Sequence, residues 1–184
     1  MIDYKYIQER KEFFSVLFVI SFIFIIYALA YLLNDSTWSN TTASGYCEKV
    51  RESWIREPTN TISNLAFVFV GMYILWLAQY DPVEGKPSLS TRSWFLNMYA
   101  ISCVAVGMGS FAMHGFNTGW GGWLDVTGMI MYISMPVFYN FSRFLRWSET
   151  EFISYYLFAN AIFAFLLWQY LSLIHISEPT RRYA

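Results

Sequence analysis

The chain has 184 residues, of which 56% are hydrophobic, 21% aromatic and 14% charged, a balance too apolar for an ordinary soluble domain. A net charge of -1 with no basic stripe argues against a nucleic-acid partner. Two cysteines, Cys47 and Cys103, make no disulfide framework, and they are poorly placed to pair. Cys103 is expected mid-helix, roughly 15 Å below His114 at about 1.5 Å per residue, whereas Cys47 is expected in a loop.

Five apolar runs are long enough to cross a bilayer, which takes about 20 residues. The first, "FFSVLFVISFIFIIYALAYLL" (13–33), is too long for a signal peptide and has no clear small-residue cleavage site after it, so it reads as an anchor that stays. The others are "TISNLAFVFVGMYILWLAQY" (61–80), "SWFLNMYAISCVAVGMGSFAM" (93–113), "WLDVTGMIMYISMPVFYNF" (123–141) and "FISYYLFANAIFAFLLWQYLSLI" (152–174). Together they predict an all-α, polytopic membrane helix bundle. No long linker, short-period repeat or low-complexity tract divides it, so one membrane domain is expected. Most of the tryptophans (Trp38, Trp54, Trp76, Trp94, Trp120, Trp123, Trp147 and Trp168) fall at or near helix ends, as an interfacial aromatic belt requires.

Short-loop positive charge sets orientation. Lys5, Arg10 and Lys11 precede the first run, Lys86 and Arg92 lie in the second loop, and Arg143 and Arg146 in the fourth. The third loop, "GFNTGWGG", has no Lys or Arg. The N-terminus is therefore expected in the cytoplasm. Lys49, Arg51 and Arg56 of the first loop run against this, interleaved with Glu48, Glu52 and Glu57. In either orientation the first and third loops share one side.

Ser110 and His114 are four apart and share a helix face. The glycine-rich "GFNTGWGG" is expected to turn the chain so that Asp125 lies near the start of the next helix, facing His114 at similar depth. Each residue alone has a plain reading: His114 as a helix-end residue at headgroup level, Asp125 as an acid favoured near a helix N-terminus. Together on adjacent helices they mark a functional site, because ionisable groups within a membrane are costly. In the first loop, Pro58 suits the first turn of a helix. Asn60, Ser63 and Asn64 then follow at helical spacing; for Ser63 and Asn64, capping and interhelical hydrogen bonds are expected. Glu48 and Glu57 offer oxygen donors of the kind calcium takes, with a solvated loop as the plainer reading. Cys103 reads as a packing residue.

These segments resemble the alkaline ceramidase family, part of the wider group of membrane hydrolases that includes the progestin and adiponectin receptors. The resemblance rests on Cys47–Glu48, on "EPTNTISNL" (57–65), and on Ser110-x-x-x-His114 followed by Asp125, over about residues 45 to 172. It implies a seven-helix core with a zinc ion near one membrane face, bound by His114 and by a His-x-x-x-His pair on the last helix. It also implies catalytic roles for Ser110 and Asp125, a calcium site that includes Glu48 and Glu57, and a ceramide-like membrane lipid as substrate. Gly45 and Val50 stand where the resemblance to animal members leads one to expect acidic and amide side chains. The run 13–33 is an addition ahead of the core.

Only one other histidine, His175, is present, and no His-x-x-x-His occurs. On this count four of seven core helices are visible, and the chain as written is expected to be inactive, because a zinc site needs three or four protein ligands. The ending "LSLIHISEPTRRYA" looks like translated sequencing-adapter read-through. Residues 1–172 therefore read as an incomplete ceramidase-like domain and 173–184 as a non-native tail. The expected function is a zinc-dependent amidase acting on ceramide or a related lipid amide, with the site on the periplasmic or lumenal side. The alternatives are a lipid-sensing receptor of the same fold, which would not turn the lipid over, and a proton-linked transporter with a His114–Asp125 relay. A purely structural role leaves the grouping of Ser110, His114 and Asp125 unexplained.

Overall fold

A computed structural model describes residues 10–32, 48–51, 53–77 and 94–177. They form five helices: α1 (Lys11–Leu32), α2 (Pro58–Leu77), α3 (Trp94–Phe116), α4 (Gly119–Leu145) and α5 (Glu149–Ser177). No strand occurs among the described residues. Three segments, Pro58–Leu77, Trp94–Phe116 and Glu149–Gln169, are long and apolar enough to cross a membrane. The outward faces carry exposed apolar side chains on every helix, among them Phe18, Phe69, Trp94, Phe144 and Phe158, which is what a lipid-facing surface presents and water would penalise.

Each of the five apolar runs coincides with a helix, with ends moved by a few residues. α2 begins at Pro58, whose missing N–H costs nothing in a first helical turn. The largest change is at "GFNTGWGG", expected as the turn. The turn is only Asn117 and Thr118: Asn117 adopts φ 54°, a conformation Asn tolerates, and its N–H donates to the Met113 carbonyl at 2.7 Å. The Thr118 hydroxyl then accepts from the Gly121 N–H at 3.2 Å and caps α4. Gly119, Gly121 and Gly122 therefore lie inside α4.

α3 is the central helix. On one side it meets α2, on the other α4, and glycine sets both spacings. A Cβ on Gly71 of α2 would come 2.6 Å from the Ala100 carbonyl oxygen of α3. On the second seam, a Cβ on Gly109 would strike the Leu124 carbonyl oxygen, and one on Gly121 would meet the Ala112 carbonyl oxygen at 2.9 Å. Small residues let membrane helices approach this closely, where van der Waals packing is the main attraction.

The helices alternate in direction. Arg10, just ahead of α1, reaches the end of α2: its Nη1 donates to the Trp76 carbonyl at 3.1 Å and its guanidinium sits 3.6 Å from the Trp76 ring centroid. At the same end of the bundle, Phe95 of α3, Met135 of α4, and Phe152 and Tyr156 of α5 form a buried cluster. Between α4 and α5 the Tyr156 hydroxyl donates to the Met131 carbonyl at 2.7 Å, and Asn160 and Ser134 exchange hydrogen bonds at 3.2 Å.

Several sequence expectations are adjusted. Ser63 and Asn64 donate to the Asn60 carbonyl within their own helix, at 2.9 and 2.8 Å, rather than across to a neighbour. Trp123 is a packing residue as well as an aromatic near a helix end: its Nε1 donates to the Ala164 carbonyl at 2.8 Å and its ring meets Trp168 edge-on at 5.5 Å. Cys103 is buried and free, as a packing residue is. Cys47, Trp38, Lys5, Lys86, Arg92, residues 78–80 and the tail beyond residue 177 lie outside the described residues, while 173–177 continue the backbone of α5.

Candidate active site

Ser110 and His114 lie on consecutive turns near the end of α3, and Asp125 lies on the second turn of α4. All three are buried. The Ser110 hydroxyl lies beside the Asp125 carboxyl, and His114 is near enough for its charge to act on that carboxyl. The close seam explains the meeting. The Cβ that Gly109 lacks would lie 3.1 Å from the Asp125 Cα, so the helix backbones touch one residue before Ser110 and bring the facing side chains together. The sequence places these three residues together, and the structure does the same.

The first loop folds against this end of the bundle as a strap. The Arg56 N–H donates to the Gly115 carbonyl and the Glu57 N–H to the His114 carbonyl, each at 3.1 Å. The first and third loops therefore do share one side. The Glu57 side chain is only 1% exposed. Its Oε2 is 2.6 Å from His114 Nδ1 and accepts from Asn60 Nδ2 at 2.9 Å, while its Oε1 accepts from Asn117 Nδ2 at 3.4 Å.

Glu48 has a different task. Its two oxygens accept from the N–H groups of Thr59 and Asn60, at 3.1 and 2.8 Å, satisfying donors in the first turn of α2 that have no partner within the helix. The Asn60 N–H holds the Glu48 carboxyl below the usual carboxylate range; desolvation opposes this, and Thr59 and Arg51 assist. Glu48 and Glu57 are thus not free loop acids. Both meet Asn60, one at its backbone and one at its side chain. Calcium takes six to eight oxygens, of which these two carboxylates would supply at most four. Among the described residues no three His, Cys, Asp or Glu side chains are gathered as a metal site.

Sequence reasoning missed the Glu57–His114 pairing and the part played by Asn117. The one available hint was Glu57-x-x-Asn60, an i, i+3 pair at a helix start. For zinc, the described residues supply one imidazole, from His114, with the carboxyl groups of Glu57 and Asp125 and the Ser110 hydroxyl close by. That donor set fits one corner of a zinc site. The side chain of His175 is outside the described residues.

An apolar cavity of about 390 Å³ opens between α1, α3 and α4. Ile23, Met108, Ala112, Phe116 and Leu124 line it, as does Gly109, the neighbour of Ser110.

No curated protein and no solved structure matches the chain. The family model for ceramidases matches residues 38–180, a span that contains the strap, Ser110, His114, Asp125 and four of the five helices. The chain belongs to the ceramidase family, which implies hydrolysis of an amide bond in a membrane lipid.

Proposed function

We propose that the protein is a zinc-dependent amidase that cleaves ceramide or a related lipid amide into a sphingoid base and a fatty acid, with Ser110, His114 and Asp125 at its centre. The observation that carries this reading is the convergence of those three buried side chains at one end of the α3–α4 seam. Nothing in helix packing alone requires a carboxyl, a hydroxyl and an imidazole together at that depth.

An amide carbonyl resists attack by water, so hydrolysis needs an activated water and stabilisation of the oxygen that becomes negative. His114 would be one of the ligands that hold zinc, and the ion would supply Lewis acidity and lower the pKa of water. Ser110 donates a hydrogen bond to the developing oxyanion. Asp125 takes a proton from the attacking water and delivers it to the nitrogen as the sphingoid amine leaves. The Ser110 hydroxyl beside the Asp125 carboxyl keeps both on the face where the scissile bond would lie. The apolar cavity, which Gly109 helps to line, offers room for part of a hydrocarbon chain. With the N-terminus in the cytoplasm, the strap and the site face the lumen or periplasm.

Replacing Ser110, His114 and Asp125 by alanine one at a time in the full-length protein tests the reading. Lipid amide turnover is expected to collapse in each. Turnover that survives all three replacements unchanged would rule the reading out.

A further inference from the structure

α3 presents two different surfaces. Each residue turns an α-helix by about 100°, so Ser110 stands about 160° round α3 from both Met108 and Ala112. His114 stands about 180° from Ala105. Ser110 faces Asp125, and His114 faces the strap. Ala105, Met108 and Ala112 face the other way and form one wall of the apolar cavity. On α4, Asp125 lies about 120° from the cavity residue Met131. Neither Ser110, His114 nor Asp125 lines the cavity. Between the cavity and the candidate active site runs the α3–α4 seam, closed where Gly109 meets Leu124 and Gly121 meets Ala112. A chain held beside Ser110 would have to pass through touching backbones to enter the cavity.

The remaining wall is α1. Its Ile20 packs with Val68 and Met72 of α2 and Val104 of α3, and its Phe24 meets Phe111 edge-on at 5.1 Å. α1 thus rests on α2 and α3 and leaves a gap before α4. Ile23 and Ile26 line the cavity yet are 42% and 49% exposed, so the cavity opens sideways onto the lipid-facing surface. Ala105 and Phe116 mark its two ends on α3, about 16 Å apart at 1.5 Å per residue. Phe116 packs on Trp120 at the strap end, ring centroids 5.0 Å apart. At the other end the next residues on the same helix faces, Ser102 and Met135, are buried.

The walls are apolar apart from the Trp120 indole and Thr127, whose hydroxyl oxygen is itself buried. Water does not fill such a space, and an empty one forfeits dispersion contacts along its whole lining. A lipid tail is narrow, needs no hydrogen bond and is the species present at the opening. We propose that the cavity is a second lipid site, separate from the candidate active site, that takes one alkyl chain of a bilayer lipid between α1, α3 and α4. This site goes beyond the amidase reading and does not depend on it. Gly109 and Leu124 of its walls are the chain neighbours of Ser110 and Asp125, so a seated chain backs the seam that holds those two together.

The test uses full-length protein in phosphatidylcholine nanodiscs, with part of the lipid carrying a diazirine midway along one chain. Irradiation attaches the lipid where it touches, and peptide mass spectrometry maps the adducts. Labels are expected at Met108, Leu124 and Met131 as well as on exposed side chains such as Phe69 and Phe158. Ile26→Trp, a change at the exposed opening, is expected to remove the cavity labels and keep those at Phe69 and Phe158. An excess of a non-hydrolysable ceramide analogue is expected to leave the cavity labels in place. A wild type labelled only on its exposed faces overturns the proposal, and that map needs no variant to fold. Cavity labels that persist in full in Ile26→Trp overturn it too, because the chain would not then enter past α1. So do cavity labels that the ceramide analogue displaces, since the space would then belong to the substrate. Absence of lipid amide turnover removes the amidase and leaves the labels, so the two readings fail separately.

Discussion

The two ends of this bundle are built from different materials. At the strap end, Glu48, Glu57, Asn60, His114 and Asn117 form a continuous set of hydrogen bonds joining the first loop to α2, α3 and the α3–α4 turn. At the opposite end, Phe95 and Phe152 pack with ring centroids 4.6 Å apart, Phe95 meets Tyr139 at 5.3 Å, and Tyr156 lies on Phe152 at 5.9 Å. Rings pack without needing every neighbour to be present. Buried polar groups do need their partners, because each one left unsatisfied costs about 1–3 kcal/mol. The ring-built end is thus suited to holding helices together, and the hydrogen-bonded end to holding particular side chains in particular orientations.

That contrast can be broken from either end. The largest expected effect is at Asp125. On the proposed mechanism Asp125→Asn keeps the shape but removes the base, and kcat is expected to fall by about 10²–10⁴ with lipid binding retained, as measured by turnover and by equilibrium binding of a non-hydrolysable analogue. Ser110→Ala would remove the proposed donor to the oxyanion and is expected to cost about 10²–10³ in kcat. At the other end, Phe152→Ala empties a fully buried site and is expected to destabilise the protein by about 3 kcal/mol, read by denaturant titration in detergent, with kcat per folded molecule unchanged. A loss of kcat as large as that of Ser110→Ala would mean that the two ends are not separable. Gly109→Ala pushes α3 and α4 apart at the Leu124 carbonyl. It is expected to cost about 1–3 kcal/mol and to lower kcat as well, because Ser110 and Asp125 face each other across that seam.

The smallest effect concerns Glu48 and pH. Its carboxyl is held below the usual range by the Asn60 N–H. A depressed folded-state pKa stabilises the fold above the unfolded-state value, about 4.3. That contribution is lost as pH falls from there through the folded-state value. Amide hydrogen exchange at Thr59 and Asn60 is therefore expected to gain protection-loss in that acidic window in the wild type, beyond the loss seen in Glu48→Gln. Equal pH dependence in both would show that another group controls the strap.

How much of this was legible in the sequence follows the same division. The five helices announce themselves because bilayer-spanning length and apolar composition are properties of continuous runs. Ser110 and His114 are readable as a pair because four residues return to the same helix face. Asp125 follows from a short connection between antiparallel helices. The strap is different. Arg56 and Glu57 find Gly115 and His114 through backbone bonds made nearly sixty residues away, and no local pattern encodes that register. The turn is shorter than its glycines suggest, because Gly121 sits inside α4 and lets it approach Ala112. Asn160 and Ser134, 26 residues apart in sequence, likewise join α4 and α5, and neither residue signals its partner.

The most direct test of the account is the fate of a ceramide presented in vesicles to the full-length protein, first metal-free and then zinc-loaded. The account predicts that zinc restores release of sphingoid base and fatty acid in equal amounts, and that His114→Ala abolishes the release. Tight ceramide binding with no release under zinc would contradict it and leave a lipid-binding protein in its place. So would hydrolysis that proceeds unchanged without His114.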